Sequence, residues 1–337
     1  METISIHTLS AGNIEMVVTN FGGRVIKIFT PDRDGNIADI ALGYNTMDEY
    51  LDNKGERFLG AMCGRVANRI AKGKFTIDGM EYSVPINSKG QSLHGGIKGM
   101  DSVVWDVVEV TPSSILFRYV SPDGEEGYPG TVSVDMSYEL TPESEFVIKY
   151  SATTDKNTIL NLTHHSYFNL RGEGDGEITD HIIEINSDFY LPVTDVSVPT
   201  GEILKVEGTP FDFRTQKRIG EEIDADHEQT NVCGGYDHCW VLNNGGNVEL
   251  AAKVVEPESG RCMEVYTDQV GIQFYSGNAF DGKTISKSGK GAYIKRGSLA
   301  LETQHFPDAP NWPQFPSARL NVGEEYTHTC IYKFYTE

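Results

Sequence analysis

Four side chains in this sequence stand where proton transfer could be done: His94, His165, Asp237 and Glu302. Glu302 is the sharpest of them. It lies in Ser298-Leu-Ala-Leu-Glu-Thr-Gln304, an apolar strand-like run where a carboxylate is costly unless hydrogen-bonded or used. Burial there raises a carboxyl pKa, which suits a general base working near neutrality. His165 is the second of two adjacent histidines in Asn161-Leu-Thr-His-His-Ser-Tyr-Phe-Asn-Leu170. Neighbouring side chains of an extended chain point to opposite faces, so His164 and His165 share a pocket only if a bulge intervenes. A single histidine of this kind is more often a satisfied core residue than a catalyst, and only its companions shift that balance. His94 sits between Leu93 and Gly95-Gly96, where backbone can approach a ligand closely, although glycine pairs are usually just turns. Asp237 follows Gly234-Gly-Tyr236, and capping of backbone amides accounts for it about as well as a site does.

Two histidines and two carboxylates could ligate a metal ion. No His-x-x-x-His or His-x-His spacing supports that reading, and no metal is expected. As the acid and base of a glycosidase, Asp237 and Glu302 would leave both histidines idle. Tyr167, Phe168, Tyr236, Phe274, Tyr275 and Phe306 lie near the candidates and could stack on a sugar's apolar face, though most rings in a β-rich protein are core.

The elements that must hold these residues are strands. Ile14, Met16 and Val18 alternate with polar residues, and Lys74 to Val84 reads as a hairpin around Asp78-Gly79, favoured at a type I′ turn. Strands are predicted over 103–110, 115–120, 131–140, 145–153, 181–189, 249–255, 261–267, 272–275, 298–304 and 325–335, separated by turn residues. Short helices are predicted over 46–51, capped by Thr46, and over 214–223, inside a loop-rich passage from Leu191 to about Asp237. Arg171-Gly-Glu-Gly-Asp-Gly176 lacks a P-loop lysine and reads as a turn. Such regular strand-turn spacing indicates an all-β antiparallel sandwich, and with no low-complexity linker residues 1–337 read as a single domain.

With 49 acidic against 28 basic residues among 337, the formal net charge is -21, which repels nucleic acid and anionic membrane. A neutral ligand suits that field. The five cysteines, at 63, 233, 239, 262 and 330, show no zinc spacing and read as reduced thiols of a cytoplasmic protein. No signal peptide is expected from Met1-Glu-Thr-Ile-Ser-Ile, and no apolar run reaches membrane-spanning length.

Six stretches, in order along nearly the whole chain, resemble the aldose 1-epimerase (galactose mutarotase) family. They are Gly64-Arg-Val-Ala-Asn-Arg-Ile70, Ser92-Leu-His-Gly-Gly96, Asn161 to Leu170, Gly235-Tyr-Asp-His238, Gln273-Phe-Tyr-Ser-Gly-Asn278 and Glu302-Thr-Gln-His-Phe-Pro-Asp308. The resemblance implies a large β-sandwich of the galactose-mutarotase type that interconverts the α and β anomers of free aldohexoses without a cofactor. It implies Glu302 as base, His165 as acid and His94 as a hydrogen bonder near the ring oxygen and C1. Asn68, Arg69, Asp237 and Gln273 match substrate-binding residues. His165 is then expected to face the cleft and His164 away from it. Relatives commonly carry asparagine where this chain has His164; a structural role is expected there, the alternative being a ring turned inward that tunes His165. A non-catalytic sugar binder, a glycosidase or lyase, and a hexose-phosphate epimerase are the rivals on this fold. Monomer or homodimer is left open.

Overall fold

Alternation of apolar and polar residues along most of the chain produces sheets that bury one face. A computed structural model describes residues 3–52 and 55–337; the first two residues of the amino-terminal stretch read above lie outside the described residues. A nine-stranded antiparallel sheet runs in the order Asp106–Val110, Ser114–Ser121, Val132–Leu140, Glu145–Thr154, Tyr326–Thr336, Arg261–Thr267, Glu249–Val255, Ile182–Ile185, Lys217–Arg218. A second, six-stranded sheet runs Tyr167–Phe168, Leu299–Gln304, Gly271–Tyr275, Asp237–Val241, Phe189–Leu191, Leu204–Lys205. The first strands of the chain, Ile6–Ala11, Ile14–Thr19, Arg24–Pro31 and Ile37–Asp39, form a separate four-stranded sheet. One large core draws side chains from all three sheets, among them Met16, Tyr138, Phe146, Leu301 and Tyr332. Polar contacts cross the layers as well: the Tyr332 hydroxyl donates to Leu301 O at 2.8 Å, and Thr303 Oγ1 lies 2.9 Å from His328 Nε2. The all-β sandwich is what this arrangement is.

The Lys74–Ile77 and Met80–Ser83 hairpin turns through Asp78 and Gly79 with φ of 52° and 76°, the left-handed pair of a type I′ turn. Met47–Asp52 is helical, with Thr46 N and Oγ1 both bonded to Glu49 Oε2.

Several expectations need correction. The stretch 103–110 is a strand only from Asp106, because the 3₁₀ turn Met100–Ser102 precedes it and the Trp105 indole donates back to Met100 O. The stretch 181–189 breaks into Ile182–Ile185 and Phe189–Leu191, which join different sheets; Ser187 marks the break, its hydroxyl bonding Phe189 O and Val241 O. Residues 214–223 hold no α-helix but the bridge strand Lys217–Arg218 and a 3₁₀ turn Ile219–Glu221, since Ile182 and Ile183 pair with that strand. The α-helix of this passage is instead Glu228–Cys233, capped by the His227 ring, which accepts from Gln229 N–H.

Candidate functional site

Period-two alternation decides which side chains meet. Leu299, Leu301 and Thr303 point to the large sheet, so Glu302 points the other way. Gln273 stands directly opposite Glu302, and Cys239 opposite Gln273, so Asp237, two residues from Cys239, shares that face. The strand Thr163–His165 splits its histidines as alternation requires: the His164 ring packs edge-on to Tyr138 and Phe146 in the core, while His165 turns to the cleft beside Tyr167 and Phe58.

His94 reaches the cleft from a loop. Asn68 and His94 both adopt left-handed backbone, φ 58° and 48°, a conformation that Asn and His accept more readily than most residues. They hold each other reciprocally: His94 N–H donates to Asn68 O at 2.9 Å, and Asn68 N–H donates to His94 Nδ1 at 3.1 Å. The second bond fixes the tautomer, because an accepting Nδ1 leaves the proton on Nε2, aimed at the cleft. Gly95 lets the loop press onto Gly64, whose carbonyl oxygen would stand 1.9 Å from any Cβ there.

The resulting cleft has a volume of about 390 Å³ and is lined by His94, His165, Asp237 and Glu302 together with Asn68 and Arg69. His165 Nε2 lies 3.4 Å from Glu302 Oε1, and both residues are buried. Burial drives the His165 pKa down to about 3 and the Glu302 pKa well above the usual carboxylate range. Asp237, then Glu56, add to the rise at Glu302, and Arg69 opposes it. Burial, then the charges of His165, Arg69 and Arg57, keeps His94 neutral. The pair therefore favours holding one proton in total, with His94 beside it as a neutral N–H donor.

Of the sequence candidates, Gln273 alone stands off the cleft wall. On the same sheet face as Glu302, its Nε2 donates to Asp237 Oδ1 at 2.7 Å and orients that aspartate. Asn68 Oδ1 accepts from Arg69 N–H at 2.9 Å. Among the suggested stacking rings, Tyr167 and Tyr275 line the cleft; Phe168, Tyr236, Phe274 and Phe306 are core. The stretch Glu56-Arg57-Phe58 was missed. Phe58 packs 4.6 Å from His94 and 5.9 Å from His165, centroid to centroid, and Arg57 clamps the His94 loop through Asp101 (2.7 and 2.8 Å) and Gly96 O (3.0 Å). Its one signal was a charged pair beside an aromatic ring, which is common on surfaces.

His94, His165 and Glu302 each bring a ligand atom within 4.8 Å of one another, a closer set than the sequence spacing suggested. The surroundings do not suit a metal ion. A ligating histidine normally donates its other ring N–H to an acceptor. Here His94 Nδ1 accepts instead, and among the described residues no side chain accepts from His165 Nδ1.

Residues 5–333 match the family model described as aldose 1-epimerase. The chain belongs to the aldose 1-epimerase family. Galactose mutarotase of Rattus norvegicus is 44% identical to it, covering 97% of this chain and 92% of that one. Aldose 1-epimerase of Escherichia coli K12 is 38% identical over 96% and 94%. Among solved structures, the aldose epimerase homologue from C. elegans superposes with a TM-score of 0.91 at 28% identity, covering 99% of each chain. Family membership places the chain among sugar epimerases, which are isomerases.

Proposed function

We propose that the chain is a mutarotase that interconverts the α and β anomers of free aldohexoses such as galactose and glucose. The observation that carries this is the His165 Nε2–Glu302 Oε1 pair, 3.4 Å apart in a desolvated cleft. Anomer exchange opens the hemiacetal ring, rotates the C1–C2 bond and recloses on the other face. The anomeric hydroxyl and the ring oxygen are bonded to one carbon, so two proton-transfer atoms a few ångströms apart can address both at once. The step runs from the state with the shared proton on His165: Glu302 takes the hydroxyl proton, His165 gives its proton to the ring oxygen, and the two exchange roles on closure. Such a pair is worth roughly 10²–10⁴-fold. The cycle consumes no proton, which suits a pair that retains one. The His94 Nε2–H steadies charge near the ring oxygen, while Asn68, Arg69 and Asp237 bind hydroxyls and Gln273 positions Asp237.

Residues 1–337 are read as one domain, because one core draws on Leu9 and Phe334 alike. The partner is a neutral free sugar rather than nucleic acid or membrane, consistent with the net charge of -21, and the assembly is a monomer or homodimer. No helix among the described residues is long and apolar enough to cross a membrane, and a cytoplasmic site fits the five unpaired thiols. Polarimetry on freshly dissolved α-D-galactose tests the activity: faster relaxation to an unchanged final rotation is expected. No acceleration on galactose, glucose or arabinose would sink it in favour of a binding protein.

A further inference from the structure

Glu56 is a carboxylate in the cleft wall to which neither the proton transfer nor the hydroxyl-binding set gives a task. Its backbone is fixed on both sides: Tyr44 donates its hydroxyl to Glu56 O at 3.1 Å, and Arg57 is anchored on Asp101. The side chain is fixed too, Oε1 accepting Phe58 N–H at 3.1 Å. The Tyr167 hydroxyl faces the carboxylate, and the Tyr167 ring lies 4.6 Å from that of His165, so Glu56 stands on the flank of the acid. Among the described residues it forms no ion pair, and the donors that reach its carboxylate are the Phe58 N–H and the Tyr167 hydroxyl. A partly buried carboxylate without a cation is expensive to keep. One that a structure retains beside a sugar cleft calls for a partner that donates hydrogen bonds and carries no negative charge.

We propose that Glu56 is a specificity-determining residue of this cleft: its carboxylate accepts a hydrogen bond from a sugar hydroxyl and turns away aldoses that bear a negative charge. The inference rests on the mutarotase reading and narrows it to neutral aldoses, with uronic acids and phosphorylated sugars disfavoured. Burial raises the Glu56 pKa on balance, and the Phe58 N–H, the Tyr167 hydroxyl and the Arg24 charge oppose that rise. Arg69 and Lys89 also line the cleft and attract anions, so the discrimination is read as a change on removing the Glu56 charge alone.

The test compares mutarotation of galactose with that of galacturonate at neutral pH in the wild type and in Glu56→Gln, which keeps an oxygen for Phe58 N–H. The galacturonate-to-galactose ratio of kcat/KM is expected to rise roughly tenfold, the scale of removing one like charge in a partly screened cleft, and KM for galactose to rise. Glu56→Asn, shorter but equally neutral, should raise the ratio in the same direction and serves if the Gln variant does not fold. An equal loss on both sugars, with the ratio unchanged, would make Glu56 a mere cap of the Phe58 turn and overturn the proposal. A wild type that accelerates neither sugar fails the mutarotase reading instead, so the two failures are distinguishable.

Discussion

At the residue scale, the site turns on which group holds the shared proton. Desolvation makes a charged His165 or Glu302 costly alone, so each depends on the other. Glu302→Gln removes the base while preserving shape; turnover should fall by roughly 10²–10⁴ with sugar binding retained, as calorimetric titration with galactose would show. Turnover near wild type would refute the proposed base. Gln273 makes a different prediction. Gln273→Leu removes the 2.7 Å bond to Asp237 without touching the proton-transfer pair, so KM should rise about tenfold while kcat changes little. A dominant fall in kcat would place Gln273 in the chemistry itself. Glu302 was legible as a site candidate because a carboxylate interrupts an apolar run. The bond from Gln273 to Asp237 was not, because it depends on three strands lying in one register.

At the element scale, two short strands and one loop set the precision of the cleft. Arg69–Ile70 pairs with Ser92–Leu93, and the loop that follows is held down by Asn68 from one side and by Arg57 and Asp101 from the other. Gly95 has φ of 88° and no room for a side chain. Gly95→Ala should therefore cost about 1–3 kcal/mol in stability and misplace His94, with kcat falling more than the loss of folded protein explains. Circular dichroism melts and polarimetry on the same sample check this; unchanged activity would show that the loop accommodates a methyl group. The same reasoning explains the misread elements. Residues 214–223 have helix-forming side chains, but Lys217–Arg218 is captured as an edge strand by Ile182–Ile183, and tertiary pairing overrides local preference.

At the scale of the whole molecule, burial of histidines couples stability to pH. Burial holds His164, His238 and His328 at about 3 and His181 at about 4. In the unfolded chain each titrates near 6.5, so between roughly pH 6.5 and 3 the unfolded state binds more protons. Stability from this source is complete above pH 6.5 and is lost as the pH falls toward 3. Glu302, Glu56, Asp39 and Asp308 act in the opposite sense, their raised pKa values favouring the fold at low pH, but they are fewer than the seven histidines whose pKa burial lowers. The thermal midpoint should drop steadily from pH 7 to 4.5, and His164→Asn, which removes one of these buried imidazoles, should make the slope shallower. A midpoint constant over that range would contradict the buried, neutral histidines.

What the sequence determined by itself is the β architecture, the opposite facing of His164 and His165, and a short set of candidate residues for proton transfer. These follow from local facts: period-two alternation, turn chemistry at Asp78-Gly79, and the cost of Glu302 in an apolar strand. Only the tertiary structure decided that His94 presents Nε2–H, that Gln273 bonds Asp237, and that Glu56 and Phe58 belong to the cleft. Each of those depends on residues brought together across sheets and loops, such as Asn68 with His94 and Phe58 with His165. No periodicity within one segment encodes such a meeting; packing of the folded chain does.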